Sequence, residues 1–162
     1  MGKLVLRGLL ISGLLALPFA FKKKPIKDWM LVYLLTANLS AIIDAVLVEK
    51  KMLSYPIRLF PKEFRFHIVF DLLLCPLVAI IYNQFTYKDK SVFGMMWKLL
   101  LFTIPQIFIE IVAGRYLNMV RWQKGWKWYH TFITMNVKYL FIRAFIGLVR
   151  KVSKKQGDGP NC

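Results

Sequence analysis

Catalytic and metal-binding signatures are missing from this sequence, and cysteine is scarce. The two cysteines are Cys75, inside an apolar run, and Cys162; they form neither a disulfide framework nor a metal set. The motifs Gly-x-Ser-x-Gly, His-Glu-x-x-His, Gly-x-x-x-x-Gly-Lys and Cys-x-x-Cys do not occur. His67, Asp71 and Cys75 would extend over about 12 Å of a helix, too far for one ion. We therefore predict that the protein is not an enzyme and uses no cofactor and no metal.

Acidic residues are also rare. The chain has 8 Asp and Glu against 24 Lys and Arg, a net charge of +16, and 57% of its residues are hydrophobic. With a mean hydropathy of +0.49, this composition is typical of integral membrane proteins. The cations mostly lie between apolar runs, where membrane proteins contact anionic headgroups. The tryptophans lie at the ends of those runs or in the 114–128 junction, as in an aromatic belt. We therefore predict binding to anionic membrane lipids and no nucleic acid partner.

Five apolar segments predict an all-α fold, a polytopic membrane helix bundle of four to five helices. The segments are residues 4–21, 29–48, 66–84, 93–112 and 131–149. The first lacks a signal-peptidase site and is predicted to be retained. Pro76 and Pro105 predict kinks, and the basic, proline-containing stretch 49–65 predicts an interfacial loop. Residues 1–150 form one predicted membrane domain, and residues 151–162 a flexible polar tail.

The last apolar segment carries two cations, Lys138 and Arg143. Each costs about 2.5–3.5 kcal/mol to place at the centre of a bilayer, which roughly cancels the gain from the apolar residues. Either the segment spans with acidic partners or it lies in the interface. If it spans, Lys138 can reach an acid while Arg143 has no partner. We favour the interface, because only four spans leave a clear excess of cations on one side. The positive-inside rule then places both termini in the cytoplasm.

Three carboxyl groups fall inside predicted spans and at the same end of the bundle. A charged group at such a depth needs a partner or water, and Arg65, His67 and Arg115 are nearby counter-charges. The predicted intramembrane polar cluster consists of Asp44, His67, Asp71, Gln106 and Glu110. Two interpretations remain open. One is a structural ion-pair layer that fixes helix register; the other is a polar cavity for a proton, a cation or a lipid headgroup.

Cations in the two loops at that end are predicted to bind lipid headgroups. They are Arg58, Lys62, Arg65, Arg115, Arg121, Lys124 and Lys127. In the second span, Ala37, Ala41 and Ala45 recur every four residues, a spacing of small residues that lets another helix approach closely.

Several short motifs extend over roughly residues 29–150. They are Tyr55-Pro56-x-Arg58-x-Phe60-Pro61, Phe70-Asp71 with Pro76, Tyr82-Asn83-Gln84-x-Thr86, Pro105 with Glu110, and Trp126-x-Trp128. With these motifs the chain resembles an uncharacterised family of small multi-pass membrane proteins of endospore-forming bacteria (Bacillota). The resemblance implies a bacterial cytoplasmic or spore membrane and no enzymatic activity, and it supplies no catalytic residues.

Two functional hypotheses follow from the sequence. The first is a non-enzymatic accessory or structural protein that associates with a membrane protein partner or a second copy of itself. The alternative is a small ion, proton or lipid pathway that uses Asp44, Asp71 and Glu110.

Overall fold

The computed structural model describes residues 2–58, 67–89 and 91–157. This part of the chain contains helices α1 (Gly2–Phe21), α2 (Ile26–Glu49), α3 (Cys75–Phe85), α4 (Val92–Leu117) and α5 (Trp128–Gly157). A π-helical turn, Phe70–Leu74, leads directly into α3. Strands β1 (Leu53–Ser54) and β2 (Arg121–Trp122) pair antiparallel. The predicted all-α fold is confirmed, since the structure is 80% helical with almost no sheet.

Four of the helices, α1, α2, α4 and α5, are long and apolar enough to cross a membrane, and Phe70–Phe85 is a shorter apolar helix. Large apolar side chains cover the outside of the bundle. Phe19 is 74% exposed, Phe93 81% and Phe108 65%. A surface this apolar is typical of contact with lipid and not with water. By the length and composition of its helices, the chain is that of a membrane protein.

The strand pair joins the two long loops at one end of the bundle, which we call the loop end. Leu53 lies opposite Trp122 in the pair, and the Gln123 N–H donates to the Met52 carbonyl at 2.8 Å. Leu53 is buried beneath the pair. The described part of the predicted interfacial loop therefore folds back onto the helix ends, while residues 59–65 of that loop lie outside the described residues.

The chain passes between the loop end and the opposite end five times. α1 starts at the loop end, where the backbone of Gly2 lies beside Ile57. At the opposite end, Gln84 of α3 donates to the Ala20 carbonyl of α1 at 2.6 Å, so these two helices are parallel. Helices α2 and α4 both end next to the strand pair. The segment between them, which includes α3, must therefore carry the chain back to the opposite end.

α5 runs antiparallel to α2 along most of its length. Lys138 Nζ donates to Ser40 Oγ at 2.7 Å midway along both helices, and Arg150 forms an ion pair with Asp28 at the start of α2. At 1.5 Å per residue these contacts are about 18 Å apart along each helix. The last segment is thus a full member of the bundle. This packing along α2 argues against the predicted position in the interface.

Arg143, which was expected to lack a partner in a spanning helix, has one. Its Nε donates to Thr86 Oγ1 at 3.0 Å and its Nη2 to the Thr86 carbonyl at 2.7 Å. Thr86 is the C-cap of α3, and carbonyls at a helix C-terminus lack helical donors and carry partial negative charge. A helix end therefore satisfies the cation in place of an acidic side chain.

α5 also extends further than predicted. It continues to Gly157, so residues 151–157, predicted as flexible tail, are helical. Lys154 and Lys155 lie in its last turn, where cations interact favourably with the helix dipole. Residues 158–162 lie outside the described residues.

The central helix begins irregularly because of a proline. Pro76 has no N–H and cannot bond the Leu72 carbonyl one turn earlier. The Tyr33 hydroxyl of α2 donates to that carbonyl at 2.6 Å instead. The preceding Cys75 N–H bonds Phe70 in the wider π-helical pattern. A neighbouring helix thus satisfies the backbone group that the proline leaves unpaired, as a proline in a membrane helix requires.

Replacing Tyr33 by Phe is expected to destabilise the protein by about 1–3 kcal/mol, because the Leu72 carbonyl loses its donor. The same substitution should cost less in a Pro76→Ala background, where alanine supplies the N–H that proline lacks. Unfolding of the wild type, both single variants and the double variant in one detergent gives the coupling energy. An equal cost of Tyr33→Phe in both backgrounds would contradict this role of the hydroxyl.

Candidate functional site

A cavity of about 70 Å³ lies inside the loop end of the bundle, next to the strand pair. This volume is the space open to the centres of water molecules, of which one water needs about 10–15 Å³. The cavity brings together all members of the polar cluster expected from the sequence. Its lining includes Asp44, His67, Asp71, Gln106 and Glu110.

Two of the carboxyl groups lie next to each other, and one of them accepts a hydrogen bond from a tyrosine. Asp44 of α2 and Asp71 of the π-helical turn line the same cavity and lie close enough to influence each other's charge, and the Tyr55 hydroxyl donates to Asp44 Oδ2 at 2.5 Å. Burial, with the nearby carboxylates adding to it, raises the pKa of Tyr55 well above its usual value. Its hydroxyl therefore stays protonated and able to donate.

Lys138 of α5 is the cation of the cavity. Its Nζ donates to Ser40 Oγ, and its charge also acts on all three carboxyl groups. The predicted counter-charges are not placed this way. Arg115 is exposed and does not line the cavity, and Arg65 lies outside the described residues. The counter-charge comes from α5 because that helix packs along α2.

His67 is the least satisfied polar side chain of the site. Burial, with a smaller contribution from the positive charge of Arg58, lowers the pKa of His67 to about 4, so the ring is neutral at pH 7 and is not a counter-charge. The ring is 3% exposed and lies edge-on to Tyr55 and Phe70. Among the described residues, neither ring nitrogen has a hydrogen-bond partner, and Asp71 Oδ2 has none either. Buried polar atoms are rarely left unpaired. These three atoms therefore indicate room for a bound species.

A second set of polar contacts closes the inner end of the cavity. Gln106 of α4 donates to Cys75 Sγ at 3.3 Å and accepts from the Tyr139 hydroxyl at 2.9 Å. Beyond Tyr139, the described side chains form an apolar core that includes Ile80 and Ile142. The cavity therefore ends at this core, and the polar groups stay in the half of the bundle nearer the loop end.

Metal ligands do not converge in the described ranges of the chain. No group of three His, Cys, Asp or Glu side chains there is placed to hold a metal ion. The carboxyl groups and His67 line one cavity but do not point their donor atoms at a common centre.

The cations predicted to bind headgroups lie outside the cavity. Four of them are exposed at the loop end: Arg115, Arg121, Lys124 and Lys127. Arg58 is half-buried, and Lys62 and Arg65 lie outside the described residues. The exposed cations flank Trp122 and Trp126, an arrangement that suits the boundary between headgroups and apolar chains.

Sequence reasoning missed Tyr55 and Ser40 as members of the site. Ser40 precedes Asp44 by one helical turn and so lies on the same face of α2, a signal that could have been used. Tyr55 lies in a loop, where no periodicity indicates which side chain folds inward.

No family model, curated protein or solved structure matches this chain. The functional interpretation therefore rests on the geometry of the site.

Proposed function

We propose that this is a multi-pass integral membrane protein in which all five helices cross the bilayer. On this proposal, the cavity binds a small cation, a proton included, as part of a pathway entered from the loop end. The alternating helix directions support five crossings. α3 is short for a span, but it packs against α1, α2 and α4, and Ala79, Ile80 and Tyr82 are fully buried. A helix shielded from lipid by its neighbours does not need the full length of a lipid-facing span.

The observation that carries the proposal is that buried polar atoms in the cavity lining lack hydrogen-bond partners. Carboxyl groups from α2, the π-helical turn and α4 meet there, and His67 and Asp71 both retain unpaired atoms. A purely structural ion-pair layer stabilises a bundle only when its polar atoms are satisfied. Unpaired acceptors beside a water-sized space instead favour the binding of a proton or a cation.

Proteoliposome flux tests the proposal. We expect wild-type protein to conduct protons or potassium ions, and Asp71→Asn to reduce that flux about tenfold or more, because it removes a charge at nearly constant size. Asp89→Asn is the matched control, since Asp89 pairs with Lys98 outside the cavity at the opposite end. Equal flux through all three proteins and through empty liposomes would contradict the proposal.

Association with a membrane partner or a second copy is the second candidate function. On α2, Ala37 is buried, while Ala41 is half-buried and Ala45 is exposed, so part of the small-residue stripe is left for another helix. In both candidates the protein is not an enzyme. Its exposed cations at the loop end bind anionic headgroups, and its location in a bacterial membrane follows from the resemblance alone.

A further inference from the structure

We infer that the cavity binds a small organic ammonium ion with a short apolar chain in preference to a metal ion. The inference rests on the proposed function and names the chemical class of its cation. It follows from the arrangement of the acceptors, the charge of the cavity and the apolar character of its remaining wall.

The acceptors suit separate hydrogen bonds and not a coordination shell. Calcium takes six to eight oxygen ligands at about 2.3–2.6 Å, and magnesium needs a near-octahedral set. The described carboxyl and imidazole groups form no such set. A primary ammonium group instead carries three N–H donors that point in different directions. Two acceptors within about 2.9 Å of its nitrogen are enough to hold it, and no coordination shell is needed.

Two buried acceptors are available for these donors. Asp71 is 5% exposed with Oδ2 unpaired, and His67 is 3% exposed with both nitrogens unpaired. A neutral imidazole presents one nitrogen as an acceptor. Glu110 of α4 supplies a further carboxyl group to the lining of the same cavity. The ring of Phe70, whose centroid lies 4.9 Å from that of His67, offers an aromatic face to a cation.

In the described part of the cavity lining, carboxyl groups outnumber cationic side chains, which favours one added cation. Three carboxyl groups, those of Asp44, Asp71 and Glu110, line it together with one ammonium group, that of Lys138. A bound ammonium ion offsets negative charge that Lys138 alone does not offset, whereas without it the carboxyl groups must hold protons instead.

The rest of the wall is apolar and limits the size of the ligand. It includes Leu47, Leu53, Val120, Trp126 and Met135. A volume of about 70 Å³, at about 10–15 Å³ per water-sized atom, accepts roughly five to seven non-hydrogen atoms. This corresponds to an ammonium nitrogen with a chain of about four to six carbons.

Titration of the full-length protein in nanodiscs with n-alkylammonium chlorides tests the inference, with tryptophan fluorescence and calorimetry as readouts. We expect saturable binding of butylammonium, with affinity rising about fourfold per added methylene from ethyl to butyl and levelling off at the size limit. Asp71→Asn should weaken butylammonium binding about tenfold or more, and Asp89→Asn should not change it. Leu47→Ala, which enlarges the cavity without touching its charges, should move the optimum to a longer chain.

Neutral 1-butanol, potassium chloride and magnesium chloride serve as comparison ligands. The inference is overturned if butylammonium binds no better than these, or if Asp71→Asn binds it as well as wild type. Ion flux that depends on Asp71 without any butylammonium binding would overturn this inference and leave the proposed function standing. The absence of both flux and binding would overturn the two together.

Discussion

Cysteines introduced by Lys124→Cys and Ser153→Cys are expected to react with an impermeant thiol reagent from opposite sides of the membrane. Both side chains are exposed. Residue 124 lies in the loop end between β2 and α5, and residue 153 lies in the last turns of α5. Because α5 follows α2 over about 18 Å, it cannot lie flat in the interface while α2 crosses the bilayer.

The labelling is measured in intact cells or sealed vesicles, in a Cys162→Ser background, where the remaining Cys75 is buried. A third variant, Lys22→Cys, lies between α1 and α2 at the opposite end and should label from the same side as residue 153. If residues 124 and 153 label from one side, the five-crossing proposal fails. With five crossings the cations divide almost evenly between the two ends. The positive-inside rule then gives no orientation, and the predicted cytoplasmic position of both termini cannot hold.

Replacing Gly13 by Leu is expected to destabilise the protein strongly, whereas the same change at Gly8 in the same helix is not. A Cβ atom at position 13 would lie 2.5 Å from Leu73 Cδ2 and 2.8 Å from its Cγ. Leu73 is 5% exposed in the π-helical turn, so little space is left for it to move. A Cβ at position 8 meets nothing within 4 Å.

Overpacking of this kind costs about 1–3 kcal/mol or more, while an unconstrained surface change stays within about 0.5 kcal/mol. Both glycine-to-leucine changes raise helix propensity equally. The difference in stability between the two variants therefore reports the contact with Leu73. Thermal unfolding in detergent measures it, and Leu73→Ala should recover part of the loss in the Gly13→Leu background. Equal midpoints for Gly8→Leu and Gly13→Leu would mean that α1 does not pack here.

The helices themselves were largely predictable from the sequence. The second span was expected at residues 29–48 and α2 extends over Ile26–Glu49; the fourth was expected at 93–112 and α4 extends over Val92–Leu117. Apolar runs bounded by charge depend only on local composition. The meeting of the three carboxyl groups was predictable too, because each lies near the same end of its helix and chain continuity brings those ends together.

The packing of the last segment could not be predicted from local sequence. For an isolated helix, the cost of inserting the two cations roughly cancels the gain from the apolar residues, which favours the interface and leaves a span open. In the structure Lys138 bonds Ser40, 98 residues away in sequence, and Arg143 bonds Thr86, 57 residues away. Neither partner is acidic, so a search for opposite charges could not have found them.

The sequence by itself thus determined the class of the protein, the approximate bounds of its helices and the end at which its acids lie. These properties follow from composition and from periodicity within one segment. The tertiary structure decided the position of α5, the pairing of the Leu72 carbonyl with Tyr33 and the entry of Tyr55 into the cavity. Each of these depends on which backbone or side-chain group, far away in the sequence, contacts a polar atom inside the bundle. Residues that are neighbours in the sequence do not show which distant group that is.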